Sequence, residues 1–338
     1  MRPRSPHALV ATRPKLGFLG VGWIGRSRLE AMARSGLADI AVIADPSHDA
    51  VAAVSAEHSD VQVARSLDEL LESQPAGVVI ATPSAMHVDQ VTRALAAGSA
   101  VFCQKPLGLT ATDARAAVAA AHDADLLLGV DMSYMHLAAT AAVQQLLDSG
   151  ELGEVFDMEL VFHNAYGPDK AWFYDYELSG GGCLIDLGTH LIDLALRFGG
   201  ADGATLTSAR RLQSGREVDR GEKGVEDFAA VELQLPGGAV ARVACSWNLH
   251  AGRDAVISIE LHGTRGGAAI RNVGGSFYDF EAVRFQRTSE TLLAAPPDDW
   301  SGRAGVEWLR QLAGGSGYDA AVDRVVTVAE LIDEAYGR

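Results

Sequence analysis

Cysteine is scarce. Cys103, Cys183 and Cys245 are three widely spaced thiols in a chain of 338 residues, with no C-x-x-C pair. That excludes a disulfide framework and a cysteine-built zinc site, and points to a reducing, cytoplasmic setting. Cations are in deficit as well: 28 Lys and Arg stand against 44 Asp and Glu, a formal charge of −16. Such a surface repels phosphate backbones and anionic lipid, so neither nucleic acid nor a membrane is an expected partner; a neutral or modestly charged small molecule is. No apolar run approaches the ~18 residues that span a bilayer. No H-E-x-x-H string is present, and no metal is expected. Residues 1–14 carry Arg2, Arg4 and Arg13 but neither an adjacent Arg pair nor a signal-length apolar segment, and read as a loose leader.

What is present is length for two domains, at ~150 residues each, with 48% hydrophobic and 21% charged residues to fill and coat their cores. From 15 to 132, apolar runs at 16–19, 40–44, 77–81, 100–103 and 126–130 alternate with helical stretches. Near-continuous apolar runs suit strands covered on both faces, and the alternation predicts a parallel, doubly wound Rossmann sheet. Ser66 with Glu69 and Thr110 with Asp113 spell capping boxes. From 133 to 338 the pattern changes. Strand candidates at 154–162, 231–235, 240–247 and 255–262 are joined by one helix at about 184–198 and two closing helices at about 302–313 and 318–336. This predicts an α+β substrate-binding and oligomerisation domain with a large, open, mainly antiparallel sheet, its closing helices packed back on the first domain. An open sheet must cover its second face, so a homodimer or homotetramer is expected.

Gly20-Val21-Gly22-Trp23-Ile24-Gly25 fits G-x-G-x-x-G, between the strand at 16–19 and a helix at 24–35. That context turns a weak string into a dinucleotide fingerprint, with Trp23 and Ile24 at the helix start beside the phosphates. Gly20 permits the turn, Gly22 lets the backbone approach the pyrophosphate, and Gly25 allows close helix–strand packing. Asp45 ends the next strand, about 20 residues on, where a carboxylate accepts from ribose hydroxyls and repels a 2′-phosphate. No Lys or Arg follows in Pro46-Ser47-His48, so NAD is favoured over NADP. The other reading of Asp45 is a cap for the helix near Ser47.

Further along stand Ala81-Thr82-Pro83-Ser84-Ala85-Met86-His87, then Gln104-Lys105-Pro106, then Gly180-Gly181-Gly182-Cys183-Leu184-Ile185-Asp186-Leu187-Gly188-Thr189-His190. In these motifs the chain resembles the glucose–fructose oxidoreductase / inositol dehydrogenase / rhizopine catabolism (Gfo/Idh/MocA) family, from about 16 to 193. The resemblance implies that Thr82, Pro83, His87, Gln104 and Lys105 face the cofactor. It places the family's lysine on Lys105 and its Asp-x-x-x-His pair on Asp186 and His190. Two departures stand out: Gln104 replaces the usual Glu, and Tyr134-Met135-His136 replaces an Arg-aromatic pair.

Oxidising an alcohol with NAD requires a proton acceptor for the hydroxyl and a cation for the developing alkoxide. Lys105 lies just past a strand end, the edge where Rossmann sheets bind ligands. In the helix at 184–198, Leu187, Leu191, Leu194 and Phe198 form a core stripe. Asp186, His190, Asp193 and Arg197 form a polar stripe beside it. Asp186, four residues before His190, is placed to orient the imidazole; Asp193–Arg197 reads as an ordinary helix salt bridge. The assignment is His190 as acid/base, Asp186 as its orienter and Lys105 as electrostatic stabiliser, with the roles of Lys105 and His190 interchangeable. The same three, with His163 and Trp172, form the candidate substrate site. The aromatics around Trp172 suit either a sugar face or packing against the other domain or another subunit. The expected function is hydride transfer between NAD and a secondary alcohol or ketone of a sugar, inositol or related polyol. An NAD-dependent glycosidase using transient oxidation and a non-catalytic cofactor-binding regulator are the alternatives.

Overall fold

A computed structural model describes residues 13–338, so of the expected leader only Arg13 and Pro14 are described. Six strands build the first sheet: β1 (Lys15–Leu19), β2 (Asp39–Ala44), β3 (Gln62–Val63), β4 (Gly77–Ile80), β5 (Ala100–Cys103) and β6 (Leu128–Val130). All pair in parallel, in the order β3-β2-β1-β4-β5-β6. Every residue of β4 and β5 is buried, as expected of strands roofed on both sides. The two-residue β3 is exposed and has no apolar run to announce it.

The helices of this half are α1 (Trp23–Ser35), α2 (His48–Glu57), α3 (Leu67–Glu72), α4 (His87–Ala96) and α5 (Ala111–Ala124). The capping box at Thr110 and Asp113 forms completely. At Ser66 only half forms, because the Glu69 carboxylate turns to the Arg65 backbone and guanidinium.

Beyond α6 (Ala138–Asp148) lies the second sheet: β7 (Val155–Asn164), β8 (Thr205–Gln213), β9 (Arg216–Glu217), β10 (Phe228–Gln234), β11 (Val240–Ser246), β12 (Ala255–Gly263), β13 (Gly267–Asn272), β14 (Phe280–Gln286) and β15 (Ser289–Ala294). Their order is β15-β14-β13-β12-β7-β11-β10-β8-β9, antiparallel except for the parallel pair β7–β11. α7 (Tyr176–Ser179) precedes a π turn at Leu184–Gly188 that runs straight into α8 (Thr189–Phe198). α8 packs against one face of this sheet through Leu191, Leu194 and Ala195.

Two late helices tie the halves together. α9 (Arg303–Ala313) sets Trp308 and Leu309 in the core beneath β1 and β5, beside Leu16 and Phe102. The sheet makes room with glycine: a Cβ on Gly77 would lie 2.7 Å from the Trp308 ring, and one on Gly129 2.6 Å from it. α10 (Arg324–Tyr336) puts Val325 among the Rossmann helices and Leu331, Ile332 and Tyr336 against the second sheet. No helix among the described residues is long and apolar enough to cross a membrane.

Candidate active site

The chain order reverses between β1 and β4, and the crevice at their carboxyl ends is where open α/β sheets take ligands. Gly20 leaves β1 at φ +87°, and a Cβ there would lie 2.5 Å from the Ala81 carbonyl oxygen. Gly25 is pressed against Gly20, whose carbonyl oxygen would sit 2.0 Å from a Cβ. Gly22 differs: nothing lies within 4 Å of its missing Cβ, and as the N-cap of α1 it offers no side chain to the helix's first N–H groups. That open, donor-lined cradle fits a dinucleotide pyrophosphate. The Asp45 carboxylate accepts from Val21 N–H (2.7 Å) and Ser47 N–H (2.8 Å), stapling the glycine loop to the next turn. The N-cap of α2 is Ser47 itself, so Asp45 is not that helix's cap.

A cleft of about 660 Å3 runs from this loop to the second domain. Gly22, Trp23, Ile24 and Gly25 line one end; Thr82, Pro83, His87, Gln104 and Lys105 line the floor; Trp172 and Asp186 face them. Trp23 is 72% exposed. His87 bridges the Thr82 and Pro106 carbonyls at 2.8 and 2.7 Å. Burial pushes its pKa down while the two carbonyls push it up; a neutral ring donates to only one of them, and the ring joins the cofactor turn to the residue after Lys105.

Lys105 Nζ donates to Asp186 Oδ1 at 2.6 Å and to the Asp186 carbonyl at 2.7 Å. Both side chains are about one-sixth exposed, at 17 and 16%. An ammonium has three donors, so one remains for the cleft. The other carboxylate oxygen, Oδ2, accepts from the Trp247 indole at 3.2 Å.

His190 does not meet Asp186. The π turn spanning Asp186 breaks the α-helical i,i+4 register assumed from sequence, and the carboxylate goes to Lys105 and Trp247 instead. The His190 ring is 7% exposed, lies edge-on to Tyr134 at 4.8 Å, and has its Nδ1 buried without a partner among the described residues. Burial, then the charges of Lys105 and Arg28, hold its pKa well below the usual imidazole range. Nor is Asp193–Arg197 an ordinary surface pair. Asp193 is 3% exposed, burial pushes it up to about 6, and its Oδ2 and Arg197 Nε are both unpartnered.

His163 is placed away from the cleft. Side chains alternate along a strand, and its neighbour Phe162 fills the core. The His163 ring therefore turns to the opposite face, onto Ser246 Oγ (2.8 Å) and Phe228; Asn164 lines the cleft in its stead. Trp172 stacks on Phe173 at 3.8 Å, and Phe173 and Tyr174 rest edge-on against Trp247.

Sequence reasoning missed Trp247. Its one signal was a tryptophan ending a buried strand, whose indole N–H needs an acceptor. Glu226 was missed as well. It is fully buried and accepts from Gly182 N–H (3.1 Å), Leu184 N–H (2.9 Å) and the Tyr336 hydroxyl (2.8 Å), anchoring the start of the segment that carries Asp186. The Gly180–Gly182 run follows from this: a Cβ on Gly182 would lie 1.9 Å from the Glu226 carbonyl oxygen. Cys183 and Cys245, far apart in sequence, are free thiols with sulfurs 3.8 Å apart in the core.

Residues 15–132 match the oxidoreductase family, NAD-binding Rossmann fold, of GFO/IDH/MocA proteins, and residues 140–269 match the GFO/IDH/MocA C-terminal domain. A dTDP-3,4-didehydro-2,6-dideoxy-alpha-D-glucose 3-reductase of Saccharopolyspora spinosa is 30% identical over 310 residues, covering 90% of this chain and 89% of the relative. Among solved structures, levoglucosan dehydrogenase in complex with NADH and levoglucosan shares the fold with a TM-score of 0.81 at 22% identity, over 96% of each chain. KijD10, a 3-ketoreductase from Actinomadura kijaniata in complex with NADP and TDP-benzene, shares it at 0.81 and 20% identity, over 95% of this chain and 96% of that one.

Proposed function

The chain belongs to the GFO/IDH/MocA family of oxidoreductases with an NAD(P)-binding Rossmann fold, and on that premise we propose that it is an NAD-dependent dehydrogenase or reductase of an uncharged sugar, inositol or related polyol. The observation that carries this is the Lys105 ammonium, held twice by Asp186 with one N–H left at the cleft floor. Bound nicotinamide supplies or accepts the hydride; the chain's own residues manage the oxygen and its proton. Lys105 meets the reacting oxygen, and its charge stabilises the alkoxide. Of the two orders left open by sequence, the geometry favours this one, because Lys105 lines the cleft and His190 does not. The hydroxyl's proton passes to His190, one layer deeper, by way of Lys105. The lysine hands one of its protons on to the imidazole as it takes up the substrate's, so that the ammonium is regained beside the alkoxide. Asp186 positions Lys105 rather than His190.

The charge lining supports an uncharged substrate. The two lysines lining the cleft each stand beside a carboxylate, Lys105 with Asp186 and Lys170 with Asp169, so the lining carries no excess of positive charge for a nucleotide diphosphate. Trp172 and Phe173 offer apolar faces to sugar C–H groups. Asp45 supports NAD over NADP by repelling a 2′-phosphate. The relatives are named as reductases and dehydrogenases, which favours net redox turnover over a transient-oxidation glycosidase or a regulator. The test is a panel of sugars, inositols and nucleotide sugars with NAD, followed by nicotinamide absorbance. Turnover of uncharged polyols is expected; turnover of nucleotide sugars alone, or no net change with any substrate, would overturn the reading.

A further inference from the structure

Gln104 stands where the resemblance leads one to expect Glu, and the reason lies at the end of the neighbouring strand. Backbone bonds fix both places: Gln104 N–H donates to the Ile80 carbonyl and Asp131 N–H to the Cys103 carbonyl, each at 2.9 Å. The Gln104 amide then donates to Asp131 Oδ2. The same oxygen accepts from Arg28 Nε at 2.5 Å, and Oδ1 accepts from Ser133 Oγ at 2.7 Å. Arg28 also reaches Ser133 and Ser301, each at 3.1 Å. The Asp131 side chain is 0% exposed and that of Arg28 6%. This is one cation and one anion, both buried and fully bonded, the condition under which a buried pair is tolerated.

A carboxylate at 104 would break that balance. It would stand within hydrogen-bond contact of Asp131 with Arg28 alone to neutralise both, and like charges at that distance cannot both ionise. An amide avoids the conflict and also determines its own orientation: the N–H end is spent on Asp131, so the carbonyl end is left beside the cleft that Gln104 lines. We propose that Gln104 is a positioning residue that ties the buried Arg28–Asp131 pair to the strand end carrying Lys105, and that its neutral amide keeps this tie unchanged across neutral pH.

The charged and titratable groups around this point are few. They are Arg28 from α1, His87 from α4, Cys103 and the Lys105–Asp186 pair beside Gln104, His136 just past Asp131, and His190 from α8. Burial pushes the Cys103 thiol up and the three histidines down, and none of these four side chains is hydrogen-bonded to that of Gln104 or Asp131.

The inference needs no knowledge of the substrate and is tested with NADH as the probe, by calorimetric titration of the whole chain between pH 5.5 and 8.5. The wild type is expected to hold its Kd within about twofold. Gln104→Glu should bind NADH progressively more weakly as pH rises, by about tenfold or more across the range, as its shared proton is lost. Gln104→Glu combined with Asp131→Asn exchanges the two functional groups at constant charge and should restore the flat profile. Gln104→Met, which removes the donor without adding charge, should weaken binding about equally at every pH, and keeps the test alive if the charged variant does not fold. A flat profile for Gln104→Glu, no recovery on the exchange, or wild-type affinity in Gln104→Met would overturn the proposal. Loss of the hydride-transfer reading would leave these binding profiles untouched.

Discussion

Trp247 and Lys105 hold the two oxygens of one carboxylate: the indole N–H meets Asp186 Oδ2 at 3.2 Å and the ammonium meets Oδ1 at 2.6 Å. The two donors come from different halves of the chain, so the orientation of Asp186 depends on the seating of both. Trp247→Phe keeps the ring and removes the donor. Since a hydrogen bond to a charged group contributes roughly 1.5–3 kcal/mol, turnover should fall by about tenfold or more, while NADH affinity stays within about twofold. Steady-state kinetics beside calorimetric titration of the same samples checks this, and an unchanged kcat would remove the indole from the mechanism.

Lys105→Met should lower turnover by about a hundredfold or more, and it strands Asp186 without its cation. His190→Ala separates two roles. If the neutral ring accepts a proton, the rate per folded molecule falls by a comparable factor. If the ring only packs against Tyr134, stability falls by about 1–3 kcal/mol and the rate per folded molecule is unchanged. Single-turnover rates with melting curves on the same preparation decide between them.

Stability should decline as pH falls from about 7.5 to 5.5. His87 and His190 are held below the usual imidazole range by burial. The unfolded chain therefore takes up protons below about 6.5 that the folded chain refuses, at about 1.4 kcal/mol per pH unit for each proton. His136 and His163, also pushed down by burial, add to the trend. Asp193, pushed up to about 6, and Glu226, also raised by burial, act in the opposite sense, because their folded carboxyls bind protons before the unfolded ones do. Asp193→Asn should steepen the decline. Urea unfolding at a series of pH values measures it, and wild-type stability that rises toward pH 5.5 would refute the assignment.

Asp45 staples the glycine loop to the turn after β2; on the proposed reading, in which its carboxylate repels a 2′-phosphate, the wild type should bind NAD more tightly than NADP. Asp45→Ala should narrow that gap and lower the melting temperature through loss of the bonds to Val21 and Ser47. Equal or tighter NADP binding by the wild type, in parallel calorimetric titrations, would show that the carboxylate serves the loops alone.

The face of the nine-stranded sheet turned away from α8 carries His163 and the Arg242 pairs with Asp157 and Glu159. A second copy covering this face would give a homodimer or homotetramer. Multi-angle light scattering at micromolar concentration should return a multiple of 35.6 kDa; a monomer mass throughout would count against it.

The Rossmann half was legible because its strands announce themselves. The run 100–103 is apolar throughout since both faces of β5 are covered, and the glycine loop follows a strand and opens a helix. The second half was less so. β8 reads Thr-Leu-Thr-Ser-Ala-Arg-Arg-Leu-Gln, mostly exposed, and its buried Arg211 makes sense only beneath the Tyr336 ring 4.7 Å away. The polar residues of the helix at 184–198 were found, but not the π turn that parts Asp186 from His190, because side-chain periodicity does not encode a change of backbone pitch. His163 and Asn164 differ by one step of a strand, and only the observed register says which of them faces the ligand.

Trp308 in its niche between Gly77 and Gly129 has a consequence for the order of events during synthesis. A ribosome that has released residues through 132 has delivered all six strands of the parallel sheet but not the helix that roofs part of one face. The part of that face beneath Trp308 and Leu309 stays uncovered until residue 313 has emerged, after the entire second sheet, although α1 and α2 already cover the rest through Leu29, Met32 and Val54. The first half to be translated is thus among the last to be finished, and its nascent form is a client for whatever shields apolar surface at the exit tunnel.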